Sequence, residues 1–287
     1  MIYISIHIFP HEIKNFQRIV EKINNALEFT DDRYEIVLDV SLNLNRQIIN
    51  RNLFNTKHIK CAFNDICKKS YCKVLQRCTD ADNFLGVNEH RRYTIQNSDE
   101  MDFIIFLDCD LYFNKRIIAH HLNGIDILKK LHTHFILSPQ VVRLWDATWD
   151  CIVNEKYLNK NFKFHETQRP DEIVDREYGG VSIIRNDQFK WGGGWFNVIS
   201  ANLLKKVGIP KSFVGYGPDD TFLMESCKYM RTKQVDVSQY ILKNMIVMED
   251  RFYAKEKATF NTDIPNFRQN CNKHFHSELN FFKKTIK

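Results

Sequence analysis

The sequence predicts an α/β fold with a largely parallel central sheet flanked by helices. Three observations predict it: an alternating apolar strand at the start, an amphipathic helical segment behind it, and a later apolar run ending in two spaced carboxylates. Strands separated by helices in this order are expected of βαβ units. In such sheets, ligands gather at the carboxyl ends of the strands.

Ile2, Ile4, Ile6 and Ile8 alternate with Tyr3, Ser5, His7 and Phe9, the period of two that gives a strand two faces. Ile13, Phe16, Val20, Ile23 and Leu27 then recur at helical spacing. A second strand is expected over Tyr34 to Val40. A basic stretch follows (Lys57, Lys60, Lys68, Lys69, Lys73, Arg77), with room for a short helix. Phe103-Ile104-Ile105-Phe106-Leu107 reads as a buried central strand, because it is short, apolar, and rich in β-branched and aromatic residues. Beyond it we expect a helix near Ile117 to Leu131 and a strand from His134 to Ser138 stopped by Pro139. A further helix, from about Val198 to Val207, should end at Gly208 with Pro210 behind it. No internal repeat or low-complexity linker separates the halves.

The 287 residues suffice for a large core, and 44% hydrophobic with 26% charged residues is ordinary for a globular chain. The net charge of +6 favours anionic partners or marks a solvated basic surface. No segment approaches the ~20 apolar residues of a membrane span. Met1 to Pro10 lacks a basic leader and a cleavage site, so a cytoplasmic protein is expected. Among the eight cysteines, Cys61, Cys67, Cys72 and Cys78 crowd one stretch, but their spacing does not match paired zinc ligands. Free thiols are expected there. The first glycine is Gly86, so no glycine-rich turn follows the first strand. That excludes a dinucleotide fingerprint or P-loop at that position, and the N-terminal turn of a sugar-nucleotide pyrophosphorylase.

Asp108 and Asp110 close the central apolar run. Side chains at i and i+2 leave a strand on one face, so the two carboxylates should project together. They then need a cation, a shared proton or open water. Mg²⁺ or Mn²⁺ carried in on a diphosphate suits them; the plainer alternative is a solvated turn. The second pair lies in Gly215-Tyr216-Gly217-Pro218-Asp219-Asp220. Pro218 suits the first position of a helix, which puts Asp219 and Asp220 in its first turn. A desolvated carboxylate there can deprotonate a hydroxyl, or both residues can simply cap the helix. Trp191 and Trp195 flank three glycines, where they can stack on sugar rings or serve as core aromatics.

"FIIFLDCDLYF" and "WGGGWFNVIS…VGIPKSFVGYGPDDTFLME" together resemble GT-A-fold glycosyltransferases, enzymes that use nucleotide-sugar donors. The first resembles the metal-binding DxD strand. The second is similar to the acceptor segment of galactosyl- and N-acetylgalactosaminyltransferases. The resemblance implies a Rossmann-like GT-A sheet with a nucleotide-sugar-binding half (residues 1–113), a smaller acceptor-side half (114–250) and a basic, aromatic C-terminal extension (251–287). It implies that Asp108 contacts the ribose or metal, and that Asp110 binds metal and diphosphate. It further implies Asp39 against the nucleotide base, and Arg92 of "GVNEHRR" facing the nucleotide. Asp220 matches the base of inverting members, Asp219 its acceptor-binding neighbour, and Trp195 would stack on a sugar. Where many members supply a histidine as third metal ligand, "NMIVMEDRFY" offers Glu249 or Asp250, with His274 and His276 as alternatives.

The implied reaction is metal-dependent transfer of a sugar, from a UDP-type donor with Mn²⁺ or Mg²⁺, to an acceptor hydroxyl. A glycan is one acceptor class. A hydroxymethylated pyrimidine in DNA is the other, suggested by the basic stretch from Lys57 to Arg92 and by the basic, aromatic tail. A metal-dependent nucleotidyl or phosphoryl transferase and a non-catalytic nucleic-acid-binding protein are the competing classes. The second carboxylate pair and the Gly-Trp segment argue against both.

Overall fold

The computed structural model describes residues 1–44, 55–79, 86–142, 170–175, 180–190, 196–215, 218–249 and 267–286. Among them the strands join one nine-stranded sheet. β1 (Ile2–Ile8) lies between β2 (Ile36–Leu42) and β4 (Phe103–Phe106), and β3 (Lys73–Cys78) pairs β2, every pairing parallel. β8 (Asn197–Ser200) joins β4 antiparallel and passes the sheet to β6 (His134–Val142) and β9 (Val237–Glu249). The far edge of β9 carries β5 (Leu111–Phe113) and β7 (Ser182–Asn186), both antiparallel.

Helices cover both faces, so the strands read as continuous apolar runs. On one face α1 (Ile13–Leu27), α2 (Thr56–Lys68) and α4 (Ile117–Leu128) pack on Ile2, Ile4, Ile6, Ile8, Leu38 and Val40. On the other, α6 (Ala201–Val207), α7 (Asp219–Thr232) and α8 (Phe267–Thr285) pack with Tyr3, Val37, Ile104 and Ile199. α3 (Val87–Asn97) lies on this second face, to which it contributes Ile95. A short helix, α5 (Pro170–Val174), packs Ile173 and Val174 against Ile246 and Met248 of β9. The expected α/β fold is present, with antiparallel pairing concentrated in the second half.

Three local expectations change and a fourth holds. β3 forms in the basic stretch, where Lys73 and Gln76 are exposed on the sheet's outermost strand. Val198 and Ile199 belong to β8, and the helix starts only at Ala201. Their β-branched side chains are fully buried between β4 and β6. β6 continues past Pro139 because its register against β9 shifts between Pro139 and Gln140, and a bulge tolerates the missing N–H. Gly208 does end α6, at φ 71, with its N–H on the Leu204 carbonyl.

Among the described residues no helix is long and apolar enough to cross a membrane. Cys61 and Cys78 are exposed free thiols, and Cys67 and Cys72 are buried free thiols. Burial pushes the Cys72 thiol up to about 11. The C-terminal segment is not wholly a free tail: Leu279 and Phe282 of α8 are buried, and Phe275 and Phe282 pack edge-on against Phe222 of α7.

Candidate active site

The second face changes character along its strands. Tyr3, Val37 and Ile104 make its lower part apolar. Nearer the carboxyl ends come Ser5, His7, Asp39, Ser41 and Arg77, four of them buried. The first turns of α3 supply partners for them. Thr94 donates to Asp39 Oδ2 at 2.6 Å and lies 3.0 Å from Ser5 Oγ. Arg77 pairs with Asp39 Oδ1, contacts His90 Nδ1 at 2.9 Å, and lies 3.7 Å from the centre of the Tyr93 ring. His90 Nε2 lies 3.1 Å from the Asp39 carbonyl, and His7 Nδ1 lies 2.7 Å from Ser41 Oγ. Asp39 stands at the centre of β2 rather than at its end, only 1% exposed. Burial pushes its carboxyl up, while the Thr94 hydroxyl and Arg77 pull it down. Burial drives His7 down to about 3, and His90 well below its ordinary value. Both rings are therefore neutral at physiological pH.

β4 stops at Phe106, so Asp108 and Asp110 occupy the turn into β5 instead of one strand face. They differ in burial: the Asp108 side chain keeps 13% of its exposure, whereas Asp110 is 2% exposed. The turn leaves β4 beside β1 and delivers β5 to the far end of β9, so it crosses between the two halves of the sheet. Arg18 of α1 steadies it from the first face, donating to the Cys109 carbonyl at 3.1 Å with its guanidinium 3.9 Å from the centre of the Tyr112 ring.

The second pair opens α7. Pro218 is the residue before the helix, with φ −79 and ψ 39, and Asp219 is the first helical residue. Asp220 is partly exposed by accessible surface yet densely surrounded. Desolvation and the neighbouring Asp219 charge push its carboxyl up to about 6, against the Thr221 N–H at 2.6 Å and the Arg91 charge. A carboxyl poised there is a competent general base near neutral pH.

One helical turn joins these regions. Glu89 accepts from the Gly86 N–H at 3.0 Å and from the Gly215 N–H at 2.9 Å, while the Asn88 N–H donates to the Gly215 carbonyl at 2.8 Å. The backbones pass so closely that a Cβ on Gly86 would lie 2.2 Å from Gly215 Cα. Arg91 donates to Asp219 Oδ2 at 2.6 Å, lies 3.5 Å from Asp108 Oδ1, and rests 4.8 Å from the centre of the Phe106 ring. Arg92 instead donates to the Pro210 and Phe213 carbonyls and to Glu89. The arginine between the carboxylate pairs is thus Arg91, while Arg92 anchors a loop. A signal for α3 was available: "VNEHRRYTIQN" has a weak apolar stripe, yet it sits between two motifs, and a polar helix held in a fold must make polar contacts.

Trp191, Trp195 and Asp250 lie outside the described residues, as do Tyr216 and Gly217. Glu249 ends β9 opposite Leu111, and its side chain also lies outside them. His274 and His276 are exposed on α8. Among the described residues no three His, Cys, Asp or Glu side chains converge as a metal site.

No family model matches this chain, and no curated protein does. Solved structures do match: 47 chains are similar in fold. One is a crystal structure of GalNAc-T7 with UDP, GalNAc and Mn²⁺, at TM-score 0.52 and 14% identity. The match covers 87% of this chain and 43% of that one, so this chain spans less than half the length of its neighbour. Similarity at this level shows the fold, a GT-A-like α/β arrangement.

Proposed function

We propose that this chain is a metal-dependent glycosyltransferase that moves a sugar from a nucleotide-sugar donor, of UDP type, to an acceptor hydroxyl. The observation that carries the reading is the bridge from Arg91 to both Asp219 and Asp108, which joins one carboxylate of each distant pair near the carboxyl ends of the parallel strands. The GT-A-like fold supports it, and its solved neighbour holds UDP, GalNAc and Mn²⁺.

The donor set suits a hard divalent cation. Asp108 and Asp110 offer carboxylate oxygens, and Mg²⁺ or Mn²⁺ characteristically takes one or two carboxylates and completes its shell with water and substrate phosphates. Glu249 is the candidate for a third ligand. A bound ion would neutralise charge on the departing diphosphate. Asp39 acts at the nucleotide base, alone or through the Arg77 guanidinium that it orients. Trp195 offers a ring for the sugar to stack on. Asp219 and the first turn of α7 hold the acceptor. Asp220 takes the acceptor proton as the sugar passes through an oxocarbenium-like state, with inversion. Arg92 acts by fixing the 210–213 loop. A glycan is the favoured acceptor over DNA, because Phe275 and Phe282 of the C-terminal helix pack on α7 and Arg77, Arg91 and Arg92 are paired internally.

Thermal unfolding with UDP, GDP, CMP and ADP, each with and without Mn²⁺, tests the donor site. A UDP shift that needs Mn²⁺ and disappears in Asp110→Ala is expected. No shift with any nucleotide would sink the reading.

A further inference from the structure

We propose that Arg91 makes cation binding at Asp108 and Asp110 conditional on the nucleotide diphosphate: the free ion is held off, and the ion with its anionic partner is admitted. This rests on the reading of Asp108 and Asp110 as the donor-metal carboxylates.

Arg91 is a resident counter-charge. Its side chain is 7% exposed and held on three sides, by Asp219, by Asp108 and by the Phe106 ring. It cannot readily swing away, because α3 is tied down on either side of it. Glu89 grips the Gly86 and Gly215 amides, and Arg92 grips two loop carbonyls. Nor can it be neutralised by losing a proton, since a guanidinium stays charged in proteins.

A cation on Asp108 therefore meets a fixed positive charge across a short gap, where burial leaves little solvent screening. Asp108 is also partly satisfied already, so it gains less from a new partner. A diphosphate reverses both effects. Its negative oxygens shield the ion from the guanidinium, and a guanidinium fork suits phosphate oxygens. Metal and nucleotide then bind with strong positive coupling, and linkage makes that coupling reciprocal.

Titration calorimetry of Mn²⁺ with and without UDP tests this on the intact chain. In the wild type UDP is expected to tighten Mn²⁺ by about 100-fold. In Arg91→Met, free Mn²⁺ should bind at least about tenfold more tightly and the gain from UDP should fall below about tenfold. Arg91→Lys, which keeps the charge, should keep most of the coupling. Because Arg91→Met leaves Asp219 buried without its partner, the double variant Arg91→Met/Asp219→Asn removes both charges and should show the same loss of coupling. An unchanged gain from UDP in Arg91→Met and in the double variant overturns the proposal while leaving the donor site intact. If the wild type binds neither Mn²⁺ nor UDP, alone or together, the donor-site reading falls as well.

Discussion

The two faces of the sheet do different work with the same strands. On the first face Ile4, Ile6, Leu38, Val40 and Ile105 meet α1, α2 and α4 through apolar contact alone. On the second face an apolar base gives way to Ser5, His7, Asp39 and Ser41, roofed by His90, Arg91 and Thr94. Burying those polar groups gains little stability even when every hydrogen bond is made. Apolar packing accounts for the first face, whereas the polar network on the second is what the proposed donor site would use. Stability and activity should therefore be separable by face.

The largest separation is expected at Asp220. Asp220→Asn should lower transfer, or donor hydrolysis by water, by about 10²- to 10⁴-fold while leaving the Mn²⁺-dependent UDP melting shift in place. Wild-type turnover should rise as pH passes through about 6, and this limb should vanish in the variant. Because the folded-state value is raised, the stabilising contribution of the protonated group is complete below its unfolded value and lost as pH rises through about 6. Asp220→Asn should therefore melt above the wild type at about pH 8, with the gap closing toward about pH 4.

The first face should give the converse. Phe16 is fully buried and stacked on Phe63 at 5.5 Å. Phe16→Ala should cost about 3–5 kcal/mol in urea unfolding. Below its melting transition, the UDP affinity should match the wild type. If affinity collapses as well, the two faces are not separable.

Thr94→Val tests the boundary with a smaller effect. It removes one donor to Asp39 and the contact with Ser5, leaving a buried carboxylate short of a partner. A loss of about 1–3 kcal/mol is expected. Unlike Phe16→Ala, it should also weaken UDP binding, because Asp39 and Arg77 would shift together.

The first face was legible in the sequence because it is periodic. The alternating isoleucines of β1 and the helical spacing of Phe16, Val20 and Ile23 need no tertiary information. β3 was obscured because an outermost strand carries polar side chains, and β8 because Val198-Ile199 runs straight into a helix. Pro139 looked like a stop until a register shift accommodated it. Both carboxylate pairs were visible as motifs, but the partner between them was not. Arg91 and Arg92 are adjacent basic residues, and only the rotation of α3 about its axis decides which one meets Asp219. That rotation is fixed by Glu89 gripping Gly215, a contact 126 residues away in the chain.

This contact also sets an order of events during synthesis. The parallel core of β1, β2, β3 and β4 is complete once residue 106 is made, and its pairings can form while the rest is still on the ribosome. Gly86 and Glu89 must then wait for Gly215, and Arg91 for Asp219, the long-range closures that form slowly. A nascent or truncated chain thus presents four paired strands without Asp219 and Asp220. A product interrupted before residue 215 would therefore leave Glu89 without Gly215 and Arg91 without Asp219, and the rotation of α3 would not be fixed.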